Sequence, residues 1–159
     1  KHFENIVPAA KALQAMNLAF MWHIVGDGSE RARVEMLITE NALKDYVILE
    51  GSKTNPYPYM KYADLFVHPS YIESQGLTVL EAMTLGVPCV VTKSRGPCEF
   101  IKDGVNGLLT EQSPESLTEK VLSILTDKTL YQSIKENTVC PEQFGPDRVM
   151  KQIEELIDG

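Results

Sequence analysis

Five short apolar runs punctuate the chain: FMWHIVG (residues 20–26), VILEG (47–51), LFVHPS (65–70), PCVVT (88–92) and GLLT (107–110). Inside them nonpolar residues follow one another almost without a break. That is the pattern of strands covered on both faces, as in a parallel sheet, rather than of strands with one wet face. Between the runs the apolar residues recur at helical spacing. Residues 4–16 carry Ile6, Ala9, Ala10, Leu13 and Met16, with Pro8 disturbing the first turns. Residues 31–42 place Val34, Leu37 and Ile38 on one face. A short helix is predicted over 58–62 and another over 78–85, the latter stopped by Gly86 and Pro88. Ser113-Pro114 reads as an N-cap followed by a first helical residue, opening a helix through Leu125. Two more helices follow, from Lys128 and from Pro146 to the C-terminus.

Strands alternating with helices predict an α/β fold with a doubly wound, mostly parallel, Rossmann-like sheet. The chain opens on a helix, whereas such domains open on a central strand whose end helps form the binding crevice. The expectation is a first strand lying before Lys1.

The length of 159 residues suits a single domain, residues 1–159, with a core that needs no disulfide or structural metal. Fifteen Lys and Arg against twenty-two Asp and Glu leave a formal charge of −7. An acidic balance without a basic run argues against nucleic acid and against a polybasic membrane anchor in this chain. No apolar stretch approaches the ~18 residues of a spanning helix. The opening KHFENIVPAA lacks the apolar core of a signal peptide. Cys89, Cys98 and Cys140 are odd in number and not spaced for a metal, which points to free thiols and a reducing, cytoplasmic setting.

The stretch that carries chemistry is ESQGLTVLEAMTLGVPCVV, residues 73–91. It follows the strand that ends at Ser70, at the carboxyl edge of the sheet, where open α/β folds bind ligands. Gly76 allows close backbone approach, and Leu77, Thr78 and Val79 present N–H groups at a helix start, an anion site. Glu73 and Glu81 flank it. Carboxylates accept hydrogen bonds, so sugar hydroxyls suit them. A diphosphate on the N–H groups with a hydroxyl-rich group on each side describes a nucleotide sugar. Spacing alone leaves a second reading open, because a glutamate early in a helix also favours the helix dipole and Glu73 alone would be a solvated loop residue.

The glutamate pair with its intervening glycine, HPS upstream and GPCEFIKDGVNGLL (96–109) downstream resembles the donor-binding half of family 4 retaining glycosyltransferases, enzymes of two-domain GT-B architecture. IVGDG (24–28), NPYPYMKYADLFVHPS (55–70) and FGPDRV (144–149) extend the resemblance over essentially the whole chain, and NPYPY is most similar to bacterial members that build surface polysaccharides.

The resemblance implies roles position by position. Glu73 matches the glutamate that faces the transferred sugar, the catalytic position. Gly76, Leu77 and Thr78 match the turn that holds the distal phosphate, and Glu81 the glutamate that binds ribose hydroxyls. Gly26 and Gly28 match the glycine loop near the diphosphate. Lys1 matches a lysine that pairs with it, and Gly51 the loop near the base. Ser74-Gln75 replaces a frequent Gly-Phe, which alters the packing beside the sugar. The resemblance also implies a reaction without metal or cofactor, a UDP- or GDP-linked donor, and a saccharide or lipid-linked acceptor held by an N-terminal domain outside this chain. Peripheral association of the whole enzyme with the inner face of the membrane follows from a lipid-linked acceptor. The alternatives are a non-catalytic nucleotide-sugar binding module and another GT-B enzyme such as a sugar-nucleotide epimerase.

The remaining candidates carry blander expectations. His68 and His23 are expected to be packed or hydrogen-bonded, His23 within the core. Cys98 is expected to be a small apolar filler. Lys93 and Arg95 read as solvated loop charges. Tyr57, Tyr59 and Tyr62 are expected to pack the short helix rather than stack on a base.

Overall fold

The structure is a computed structural model and describes residues 2–139, 141–142 and 145. Lys1, Cys140, the helix expected from Pro146 and all of the FGPDRV motif except Gly145 lie outside the described residues.

The helices are α1 (Ile6–Ala15), α2 (Arg31–Glu40), α3 (Tyr57–Lys61), α4 (Leu77–Thr84), α5 (Pro114–Thr126) and α6 (Lys128–Asn137). The strands are β1 (Trp22–Val25), β2 (Val47–Gly51), β3 (Phe66–His68), β4 (Cys89–Thr92) and β5 (Leu108–Thr110). One turn of 3-10 helix, Phe3–Asn5, leads into α1, and another, Pro97–Glu99, follows β4. Each predicted element that falls on the described residues is present, and boundaries differ by a few residues. Pro8 sits in the first turn of α1, where its missing N–H has no intrahelical partner to lose, so the helix runs through it. Ser113 caps α5 by accepting from the Ser116 N–H at 3.1 Å, as its sequence signature predicts. Asp127 ends α5 and caps α6, accepting from Thr129 N–H at 2.9 Å and Leu130 N–H at 3.0 Å.

Every strand pair is parallel. The strands form two hydrogen-bonded sets, β1–β2 and β3–β4–β5, where one sheet was expected. The central strand expected before Lys1 is not among the described residues, and the two sets are joined through a shared core.

That core has two layers. Ile6, Ala9, Ala10 and Leu13 of α1 meet Leu117, Val121 and Ile124 of α5, with Ile24 from β1, Val47 from β2 and Val90 from β4. On the opposite face Val79, Leu80, Ala82 and Met83 of α4 pack with Cys89, Val91, Phe100 and Ile101. In β4, Val90 points to the first layer and Cys89 and Val91 to the second, which is why its sequence has no polar alternation. Burial raises the Cys89 thiol far above its ordinary value, so it stays protonated and apolar in character.

Ile124 is fully buried between α1 and α5. Ile124→Ala is expected to cost about 2–5 kcal/mol, read as a lowered urea midpoint at unchanged slope. Ile72→Ala, at a side chain that is 89% exposed, is expected to move the midpoint negligibly.

Candidate functional site at the carboxyl edge of the strands

Two groups of residues gather beyond the strand ends. The first lies after β1 and β2. The Gly26 N–H donates to the Gly51 carbonyl at 2.8 Å, which ties the two loops together. Arg31, opening α2, spans the same corner, with Nη1 3.7 Å from Asp27 Oδ2 and Nη2 donating to the Leu49 carbonyl at 3.4 Å. Gly28 N–H donates to Asp27 Oδ1 at 2.9 Å. Gly26, Gly28 and Gly51 therefore lie at one corner.

The second group lies between β3 and α4. Glu73 is held at its carboxylate and at its backbone. Its Oε1 accepts from the Gly76 N–H at 3.3 Å, its Oε2 lies 3.4 Å from His68 Nε2, and its carbonyl accepts from the Gly96 N–H at 3.0 Å. His68 is buried at the end of β3, so this pairing partner comes from the sheet. The expectation of a packed histidine is met, and its Nε2 lies within ion-pair distance of the glutamate.

Gly76 is the N-cap of α4 and takes the left-handed conformation, φ 72° and ψ 30°. A Cβ there would also meet Phe100 Cζ at 3.0 Å and Pro97 Cγ at 3.1 Å, so glycine is required by both backbone and space. α4 starts one residue earlier than predicted. The N–H groups of Leu77 and Thr78 have no hydrogen-bond partner among the described residues. Val79 was expected to offer a third, but its N–H donates to the Gly76 carbonyl at 3.0 Å, because the first turn tightens toward 3-10 geometry. Glu81 lies just past that first turn and is partly exposed, and its Oε1 accepts from the Tyr57 hydroxyl at 3.2 Å.

A third cluster was not recognised in the sequence. Glu50 of β2 accepts from Lys53 Nζ at 2.9 Å and from the Tyr59 hydroxyl at 3.0 Å, and it lies 2.9 Å from His23 Nδ1. Lys53, His23 and Tyr59 hold the Glu50 carboxyl at about 2, well below the usual carboxylate range. The same bond to Glu50 raises the Lys53 ammonium. His23 is thus a half-exposed partner of Glu50 rather than a core histidine, because β1 turns its side chain to a wet face at the strand edge. Cys98 is exposed in the turn after β4 and fills no core space. Lys93 is a half-exposed loop charge, as expected, and pairs with Glu111. In α3, Tyr57 and Tyr59 hold carboxylates, and Tyr62 just after it is exposed, so packing of the helix falls to Met60. Lys1, expected at the diphosphate, lies outside the described residues.

Gly96 was also missed as a determinant. Its φ of −61° suits any residue, yet a Cβ would fall 2.6–2.8 Å from the Gln75 backbone. The turn after β4 therefore presses directly on the Glu73–Gly76 loop.

A loop-borne carboxylate, a helix start with two unpartnered N–H donors and a second carboxylate one turn on thus lie together at the carboxyl edge of a parallel α/β fold. The family model described as "Glycosyl transferases group 1" matches residues 1–139, and the chain belongs to that family. It is 29% identical over 98% of its length to N-acetyl-alpha-D-glucosaminyl L-malate synthase of Bacillus anthracis, spanning 42% of that protein. It is 30% identical over 96% of its length to the poly(ribitol-phosphate) alpha-N-acetylglucosaminyltransferase of Staphylococcus aureus, spanning 32% of it. Among solved structures, Anabaena Alr3699/HepE in complex with UDP and glucose superposes with a TM-score of 0.88 at 24% identity over all of this chain and 45% of its own. A mutant of S. aureus TarM in complex with fondaparinux, alpha-GlcNAc-glycerol and UDP gives 0.85 at 26% identity over 100% of this chain and 33% of its own. The chain thus spans less than half the length of these relatives, and its fold is that of one half of a GT-B glycosyltransferase.

Two predictions follow from this geometry. Glu50 has a folded pKa below its ordinary 4.5, so its pairing stabilises the fold above pH 4.5 and is lost as pH falls toward about 2. Glu50→Gln should lower the urea midpoint at pH 7, and its gap to wild type should close progressively below pH 4.5. Gly96→Ala should destabilise by about 1–3 kcal/mol, since backbone atoms of Gln75 cannot yield as a side chain would. Amide chemical-shift changes in that variant should centre on residues 73–76.

Proposed function

We propose that this chain is the nucleotide-sugar-binding domain of a family 4 retaining glycosyltransferase that transfers a hexosyl group to a saccharide or lipid-linked acceptor. The observation that carries the reading is the unpartnered Leu77 and Thr78 N–H pair at the start of α4, with the Glu73 carboxylate on one side and Glu81 on the other. In this reading the N–H pair receives the distal phosphate of the donor. The two N–H dipoles and the helix start favour the negative charge that grows as the sugar–phosphate bond breaks. Lys1 adds a point charge on the same diphosphate. No metal or cofactor has a role in the reading.

Glu73 orients the transferred sugar and faces its reacting carbon, with His68 and the Gly76 N–H fixing its carboxylate. Glu81 accepts from the ribose hydroxyls, and the Gly26, Gly28 and Gly51 corner lies along the nucleotide. Donors of the UDP type are favoured, because UDP is the nucleotide named with the solved neighbours. The acceptor belongs to an N-terminal domain outside this chain, and a bacterial surface polysaccharide is the product class that the curated relatives support. A cytoplasmic enzyme at the inner face of the membrane fits that product. Among the described residues no helix is long and apolar enough to cross a membrane.

Titration of the chain with UDP should shift the amide resonances of residues 76–81. Glu81→Ala should weaken UDP binding by roughly ten- to a hundred-fold, the value of a hydrogen bond to a charged group. Glu73→Ala should leave free UDP binding close to wild type, since its partner is the sugar. Equal losses in the two variants would overturn the assignment of sides.

A further inference from the structure

The α3 segment is more tightly specified than a connecting helix of five residues needs to be. Pro56 and Pro58 restrict its backbone, and Asn55 Oδ1 accepts from the Tyr57 N–H at 3.1 Å, which sets the helix start. Met60 anchors it in the second core layer. Its two tyrosine hydroxyls then reach in different directions. Tyr59 donates to Glu50 at the end of β2, and Tyr57 donates to Glu81 in α4. Lys53 covers the Tyr59 ring, its Nζ 5.3 Å from the centroid, and binds Glu50 as well. α3 is therefore fastened at the β1–β2 corner and at α4, the two groups of the candidate site.

We propose that Tyr57 is a positioning residue for ribose recognition: its hydroxyl pins one oxygen of Glu81 so that the carboxylate stands preset to accept a vicinal diol. The inference rests on the reading of Glu81 as the ribose-binding carboxylate. Each carboxylate oxygen has two acceptor positions, so Oε1 bound to Tyr57 still accepts a hydroxyl and Oε2 takes the neighbouring one. A free glutamate on an exposed helix face would lose rotamer entropy on binding, and Tyr57 removes that loss beforehand. The Glu81 carboxylate raises the Tyr57 phenol above its ordinary value, so the hydroxyl stays a donor. Tyr57 itself is 48% exposed, which leaves room for a nucleoside beside it.

The test compares UDP with 2′,3′-dideoxy-UDP, which lacks the diol, by calorimetric titration of wild type, Tyr57→Phe and Glu81→Ala. Wild type should prefer UDP by more than about ten-fold, and Glu81→Ala should abolish the preference. Tyr57→Phe should weaken UDP by about three- to ten-fold while leaving the dideoxy analogue unchanged, with an unchanged thermal midpoint confirming the fold. Equal weakening of both ligands by Tyr57→Phe, or no weakening of UDP, overturns the proposal while the Glu81 reading stands. A wild type that binds both ligands alike, or neither, overturns the Glu81 reading and this inference together.

Discussion

The contact on which the site depends is the close approach of two backbone turns. Gly96 lies against Gln75 with no room for a Cβ, and Gly76 lies under Phe100 and Pro97 in a left-handed conformation. Its N–H closes the Glu73–Gly76 loop onto the Glu73 carboxylate, while the Gly96 N–H fixes the Glu73 carbonyl. Without these approaches α4 would still form, because its apolar face packs on β4, but its first N–H groups and Glu73 would not be held beside each other. Phe100 also belongs to the second core layer, so the loop is braced by the same cluster that holds the sheet. Site geometry and core packing are thereby coupled.

Electrostatics follow from that frame. The net charge is −7, and the donors left without a partner at the candidate site, among the described residues, are the N–H groups at the start of α4. The acidic side chains near the site are each managed by a neighbour. Glu50 takes Lys53, Tyr59 and His23, Glu73 takes His68 and the Gly76 N–H, and Glu81 takes Tyr57. Each of the three carboxylates is thus hydrogen-bonded, and Glu50 is also paired with an ammonium.

Much of the fold was legible because its signals are local. Continuous apolar runs marked β2 and β4, helical periodicity marked α1 and α5, and Ser113-Pro114 marked the α5 cap. The pairing of Glu73 and Glu81 around Gly76 was legible for the same reason, since all lie within one loop and helix. The separation of the strands into two sets was not, because strand pairing depends on which strands lie side by side. His23 was misplaced because its neighbours in β1 are apolar, whereas its exposure depends on where that strand lies at the sheet edge. Cys98 was misplaced because a small thiol has no periodic pattern to follow in a turn.

Residue order alone determined the α/β class, the parallel strands and the turn that sets a helix start between two glutamates. These rest on backbone preferences and apolar periodicity, which act over a few residues. Tertiary structure alone decided which distant groups hold those glutamates. His68, Tyr57 and Gly96 reach the site from β3, α3 and the turn after β4, and Tyr59 and Lys53 join His23 at Glu50. Hydrogen bonds form wherever folding brings donor and acceptor within about 3 Å, and no spacing along the chain encodes that proximity.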